Sequence, residues 1–264
     1  MNFENSIDKN YEYLTSTDKL AVQTIQQNKK LFQTMNSTQA AQFLGISRTT
    51  LLRLVKKLEL GSYAGFQLVL KQEEQPGEHQ KLDMNEVISE YHYMIEKLQK
   101  YDYTQICNQI YQADMIYLYG TGNEQKSIIE EFKRIFLIMG KWCVDLFDYG
   151  EIEFAQKSFK ETDLFVAVSL SGENKEVLRA VNLVQQTKMH TLSITRWKNN
   201  SLARMTENNL YVSTKTIHQN QKDSYEMIAA FYVLLDILSV RYLDTIRNYK
   251  QHNGQQIGEG NHED

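Results

Sequence analysis

The chain has 264 residues, 42% apolar and 23% charged, with a net charge of −4, an ordinary globular composition that suits one large or two modest domains. No uninterrupted apolar segment approaches the length of a bilayer span, and the N-terminus, MNFENSIDKNYEYL, is polar and acidic rather than basic then apolar. Neither a membrane segment nor a signal peptide is expected, and the expected location is cytoplasmic.

The two cysteines, Cys107 and Cys143, lie in apolar stretches without CxxC spacing and are expected to be buried thiols rather than a disulfide or a metal site. His79, His92, His190, His218, His252 and His262 show no paired spacing, so neither a metal centre nor any other cofactor is expected. The charge is polarised. Residues 28–71 hold seven basic residues against Glu59, a net +6, while the remaining 22 basic and 32 acidic residues net −10. A basic contact surface attached to an acidic domain has this distribution.

In chain order, the first strong pattern is TQAAQFLGISRTTLLRLVKKL, residues 38–58. Ala40, Ala41 and Leu44 share one face of a short helix, Gly45 supplies a turn, and Ile46 plugs the corner. Ser47 caps a second helix whose Leu51, Leu54, Val55 and Leu58 point inward. A small residue, a glycine four positions on and an apolar residue six beyond that have the spacing of a helix-turn-helix. A helical hairpin with a solvated basic face is the plain alternative. The alanine pair, the glycine turn, the cap and a nearly acid-free outward face favour a partner of double-stranded DNA. In that reading the second helix enters the major groove, with Arg48, Thr49 and Thr50 at base edges and Arg53, Lys56 and Lys57 at phosphates. Thr38, Gln39 and Ser47 complete the expected DNA-binding set.

The single proline, Pro76, falls in KQEEQPGEHQK, a polar stretch without hydrophobic periodicity that marks a domain boundary. Residues 84–100 read as a connecting helix. Apolar runs then follow at 115–120, 142–147, 164–170, 191–195 and 209–213, with helical patterns near 123–140, 151–158, 174–187 and 199–207. This alternation predicts an α/β domain whose parallel sheet is covered on both faces. DSYEMIAAFYVLLDILSVRYLDTI, residues 223–246, reads as a long helix buried in the domain or in a subunit interface. QHNGQQIGEGNHED, residues 251–264, is expected to be a mobile tail.

One turn in the α/β part carries chemistry by its own residues. After Leu164–Val168 the chain breaks into Ser169, Leu170, Ser171 and Gly172, then reopens as a helix. Unpaired backbone N–H groups, a positive dipole end and two hydroxyls together imply an anion. Gly120, Thr121 and Gly122 follow an earlier apolar run and lead into a helical pattern. A dinucleotide fingerprint is excluded there, because Gln125 stands where GxGxxG requires glycine. Thr195 ends another strand on the edge where α/β sheets place their ligands.

The run Ser47-x-x-Thr50-Leu-Leu-Arg53, with Lys57-Leu58 and Gly61-x-Tyr63-x-x-Phe66, resembles the N-terminal domain of RpiR-type bacterial transcriptional regulators. That family joins a helix-turn-helix to a sugar-isomerase (SIS) domain, a phosphosugar-binding α/β fold, and the order of elements matches over almost the whole chain. The resemblance implies an all-α helix-turn-helix domain at 1–76, a linker and connecting helix at 77–100, a three-layer αβα SIS domain with a parallel sheet at 101–250, and the tail from 251. It also implies an effector, a phosphorylated sugar, held by Ser169, Ser171 and backbone near Gly172, with Gly120, Thr121, Gly122, Asn123, Glu124, Asn174 and Thr195 around it. Two positions depart from the family pattern: Glu124 stands where many members have serine, and Asn174 where they have threonine. An ionised Glu124 opposes a phosphate unless it faces sugar hydroxyls, whereas Asn174 retains an amide donor.

The reading is therefore a DNA-binding regulator of carbohydrate metabolism, not an enzyme, acting as a homodimer or higher homo-oligomer without a membrane partner. The isomerase alternative needs a general base, for which Glu124, Glu173, His190 and His218 are formally available. A DNA-binding dimer with a purely structural SIS domain is the third possibility.

Overall fold

The computed structural model describes residues 3–74, 84–196, 199–214, 216–218 and 224–258. The chain forms two compact units. The first is built on residues 1–86, with 197–200 and 215–227 grouping with it. The second comprises 87–196, 201–214 and 228–264. Pro76, the expected boundary, lies outside the described residues.

The first unit is helical: α1 (Phe3–Asn10), α2 (Ser16–Gln27), α3 (Lys29–Phe32), α4 (Ser37–Phe43), α5 (Arg48–Lys57) and α6 (Tyr63–Glu74). One apolar core joins them through Phe3, Ile7, Val22, Ile25, Phe32, Leu51, Leu54, Phe66 and Leu70. Phe3 meets Phe66 edge to face at 5.5 Å, which ties the first helix to the last.

Helix α7 (Met84–Lys100) opens the next stretch, and it is more than a connector. Met94 and Leu98 are buried in the core of the second unit with Tyr103, Ile106 and Cys107, the last two on α8 (Thr104–Gln112). The second unit then alternates strand and helix: β1 (Ile116–Tyr119), α9 (Asn123–Ile138), β2 (Cys143–Leu146), α10 (Tyr149–Ala155), β3 (Leu164–Val168), α11 (Lys175–Gln185), β4 (His190–Thr195), α12 (Ser201–Met205) and β5 (Asn208–Tyr211). The five strands are parallel in the order β2-β1-β3-β4-β5.

Both faces of this sheet are covered, as strands such as the fully buried LFVAV of β3 require. Ile116, Leu118, Val166, Val168, Leu192 and Ile194 share one core with α8, α9 and α13 (Ala229–Gly258). Tyr119, Phe165 and Ala167 share the other with α10, α11 and α12. The alternation follows from the two-residue period of a strand.

The last helix differs from its expected start. Ser224–Glu226 forms β7, paired antiparallel with β6 (Thr216–His218), and the helix begins only at Ala229. Pairing with a partner strand overrides a locally helical pattern in residues 223–228. At the other end α13 continues to Gly258, past residue 251 where a tail was expected.

Both cysteines are buried and unpaired, and burial pushes their thiols up to about 11 for Cys107 and about 12 for Cys143. Among the described residues no helix is long and apolar enough to cross a membrane, and no cluster of His, Cys, Asp and Glu is placed to hold a metal ion.

Candidate functional site

Helices α4 and α5 form the expected helix-turn-helix, and short-range chemistry fixes each end. Asn36 caps α4: its Oδ1 accepts from Thr38 N and Gln39 N, each at 3.0 Å, while Gln39 Oε1 accepts from Asn36 N. Gly45, at φ +65°, ends α4. Its N–H donates to Gln42 O, and the N–H of Ile46 donates to Ala41 O at 3.0 Å. This Schellman turn needs a left-handed residue, which glycine supplies without strain. Ser47 then caps α5, its Oγ accepting from Thr50 N at 3.1 Å. Leu51, Leu54 and Val55 are buried.

The outward face of α5 carries Arg48, Thr49, Arg53 and Lys56, all exposed, and Thr50, half-buried. Thr38 is exposed beside them, whereas the Gln39 side chain serves the α4 cap. Arg53 and Lys56 have no ion-pair partner among the described residues. Lys57 differs: its ammonium is 2.5 Å from Asp18 Oδ2, inside the unit. Asp18 also accepts from Thr15 N in the capping box of α2. Burial alone would raise the Asp18 carboxyl. The bonds from Lys57 and Thr15, together with the lysine charge, outweigh burial and hold the group below its usual 3.8.

A carboxyl depressed by folding contributes stability that is present above its unfolded value and lost as pH falls through the folded one. Asp18→Asn is therefore expected to loosen α2 by about 1–2 kcal/mol at neutral pH. The gap from wild type should close as pH drops below 3.8. Amide exchange of α2, followed across pH, measures it. A gap independent of pH would remove the ion pair as its cause.

The second constellation lies at the C-terminal edge of the parallel sheet. In the order β2-β1-β3-β4-β5 the connections leave β1 and β3 in opposite directions, so the topological switch point falls between them. Gly120 follows β1 where the backbone passes close to β3: a Cβ there would lie 2.8 Å from Val168 O. Gly122, at φ +96°, caps α9. Thr121 is half-buried, and Asn123 and Glu124 stand exposed at the edge of the first loop.

In the second loop Ser169 is buried and its Oγ accepts from Gly172 N at 3.1 Å. Ser171 Oγ accepts from Glu173 N at 3.2 Å. Gly172 is left-handed at φ +69°. Asn174 caps α11, its Oδ1 accepting from Glu176 N and Val177 N, and this gives a physical role to the departure from threonine. Each serine hydroxyl accepts a backbone N–H and keeps its own proton to donate. Thr195 ends β4 at this same edge and is fully buried.

Sequence reasoning missed several residues that fix the loops. Glu173 Oε1 accepts from Ser201 N at 2.8 Å, which pins the second loop to the start of α12. Tyr119 OH donates to Glu176 Oε1 at 2.9 Å, tying β1 to the first turn of α11; burial and then this bond push the phenol up. Lys126 donates to Asp145 Oδ1 and Leu146 O, both at 2.9 Å, tying α9 to β2. Lys175 is exposed at the first position of α11, three residues after Gly172 in sequence. No local signal announces the Glu173, Tyr119 and Lys126 pairings, because each joins elements that lie apart in the sequence.

Two of the formally available general bases are committed elsewhere. Glu173 holds α12. His190 opens β4 at the opposite edge of the sheet, where its Nδ1 lies 2.7 Å from Glu207 Oε2 and 3.2 Å from Gln109 Nε2. The side chain of His218 lies outside the description.

Residues 1–77 match the family model of the helix-turn-helix domain, rpiR family, and residues 109–241 match that of the SIS domain. The chain is 29% identical over 244 residues to the HTH-type transcriptional regulator GlvR of Bacillus subtilis (strain 168), covering 92% of this chain and 96% of that one. Its fold is similar to that of the Vibrio vulnificus NanR protein complexed with ManNAc-6P, with a TM-score of 0.56 at 20% identity over 99% of this chain and 100% of that one. The sugar isomerase domain of an RpiR transcription factor from Sphaerobacter thermophilus is similar over 65% of this chain and 99% of its own, with a TM-score of 0.51 at 16% identity. With one family model matching the helix-turn-helix and the other the α/β unit, the chain belongs to the rpiR family of helix-turn-helix transcriptional regulators with a SIS domain, and is a regulator rather than an enzyme.

Proposed function

We propose that the chain binds operator DNA as a homodimer through α5, in the cytoplasm, and that a phosphorylated sugar held by the loops after β1 and β3 changes its hold on DNA. The observation that carries this reading is the Ser169–Gly172 turn. Its two hydroxyls each accept one backbone N–H and keep a proton to donate at the switch point of a parallel sheet. Lys175 adds positive charge three residues after Gly172 in sequence. The Gln125 side-chain oxygen, buried beside Gly122 without a hydrogen-bond partner, is an acceptor that a sugar hydroxyl satisfies. A fold relative captured with ManNAc-6P supports the ligand class. The effector acts by binding one arrangement of the protein better than another, since only differential affinity shifts DNA occupancy.

Thermal denaturation against phosphorylated sugars, their unphosphorylated parents and inorganic phosphate tests the proposal. At a hundredfold excess over Kd one phosphosugar is expected to stabilise the fold by about 2.7 kcal/mol, with its parent far behind. A flat panel assigns the α/β unit to dimerisation alone.

A further inference from the structure

Arg48 opens α5 and Ser37 opens α4, eleven residues apart, and the two side chains meet: Arg48 Nε donates to Ser37 Oγ at 2.9 Å. The backbone around this contact is held from several sides. Asn36 and Gln39 close the capping box before Ser37, and the Schellman turn at Gly45 sets the angle between the helices. Helix α6 reaches back to the residue before the cap, where Met35 O accepts from Tyr63 OH and from Gln67 Nε2, both at 2.9 Å. Among the described residues the Arg48 guanidinium has no carboxylate partner. With Nε occupied, its remaining N–H groups are the four on Nη1 and Nη2.

We infer that Ser37 is a positioning residue for sequence reading: it fixes the plane of the Arg48 guanidinium so that the two Nη groups, and not the Nε edge, meet O6 and N7 of a guanine in the major groove. The inference rests on the placing of Arg48 at a base edge. An arginine on an open surface samples many rotamers, and ordering it on binding subtracts from the discrimination that a bidentate guanine contact provides. The serine orders it before DNA arrives. The Ser47 and Thr50 hydroxyls bond each other, and Ser47 Oγ also accepts from Thr50 N. Ser37 was absent from the expected DNA-binding set, since serine at a helix start reads as part of a cap.

The full chain and its S37A, S37T and R48A variants, each selecting from a pool of duplexes randomised over their central positions, test this. Wild type is expected to enrich guanine at a position where R48A loses that preference. S37A should weaken the guanine preference there by about two- to tenfold, the cost of immobilising one rotamer-rich side chain, with preferences elsewhere and the salt dependence of binding unchanged. S37T keeps the hydroxyl and should restore the preference. Erosion at every position alike in S37A would show a merely structural role and overturn the inference. A lost preference in R48A with a wild-type profile in S37A would also overturn it, while leaving Arg48 as a base reader. An R48A profile identical to wild type would instead overturn the placing of Arg48.

Discussion

Gly120→Val is expected to destabilise the α/β unit by about 3 kcal/mol, the upper end of the cost of forcing extra methyl groups into a packed site. The reason is contact rather than backbone conformation. A Cβ at this position would lie 2.8 Å from Val168 O, 3.0 Å from Ile129 Cδ1 and 3.1 Å from Gln125 Cβ. The closest atom is backbone oxygen at the end of β3, a strand hydrogen-bonded on both sides, so it cannot move without opening the ladder with β1. Valine adds two further methyl groups to a space that does not admit the first. At about 2–4 °C per kcal/mol for a unit of this size, the melting temperature should fall by roughly 6–12 °C. Gly122→Ala is the informative comparison. Its strain comes from φ +96°, and its added Cβ meets the end of the flexible Gln125 side chain at 2.6 Å. It should cost clearly less. Equal melting of Gly120→Val and wild type would mean that β1 and β3 do not approach this closely where the first loop begins.

The elements at stake in that experiment were largely legible in the sequence. The strands stand within two residues of the apolar runs, because a buried parallel strand has to be apolar on both faces and the helices around it only on one. The helix-turn-helix was legible for a similar reason: caps, a left-handed glycine and inward leucines are local requirements, met within a few residues of one another. What escaped were pairings made by tertiary geometry. Lys56 and Lys57 are neighbours in a basic run, yet rotation about the helix sends the second to a carboxylate 39 residues away and leaves the first in solvent. Ser37 was hidden because its partner lies on the next helix. Asn174 was read for its amide donor, and the cap that its oxygen makes on the first turn of α11 went unread. The β6–β7 hairpin was missed because three-residue strands carry too little periodicity to compete with the helical pattern beside them.

Ser169→Ala is expected to abolish stabilisation by a phosphorylated sugar while leaving the unliganded fold nearly intact. At a ligand excess of a hundred- to a thousandfold over Kd, the stabilisation lost would be about 2.7–4.1 kcal/mol. The cost to the free protein is smaller. Ser169 Oγ accepts from Gly172 N at 3.1 Å, and removing it leaves one turn N–H without its partner, a loss of about 1 kcal/mol. The serine backbone N–H still donates to Ile194 O, so the loop keeps its anchor on β4. Ser171→Ala should behave in the same direction but less strongly, since Ser171 is more exposed than the buried Ser169 and loses less when water takes the place of its partner. Two variants with graded loss of ligand response and near-normal melting without ligand would place the phosphate on this turn. A Ser169→Ala protein that still responds fully would move the anion to the Gly120–Gly122 loop, where the backbone N–H groups at the start of α9 are the remaining donors at the switch point. In that outcome Gly122→Ala, not Ser169→Ala, should be the change that silences the response.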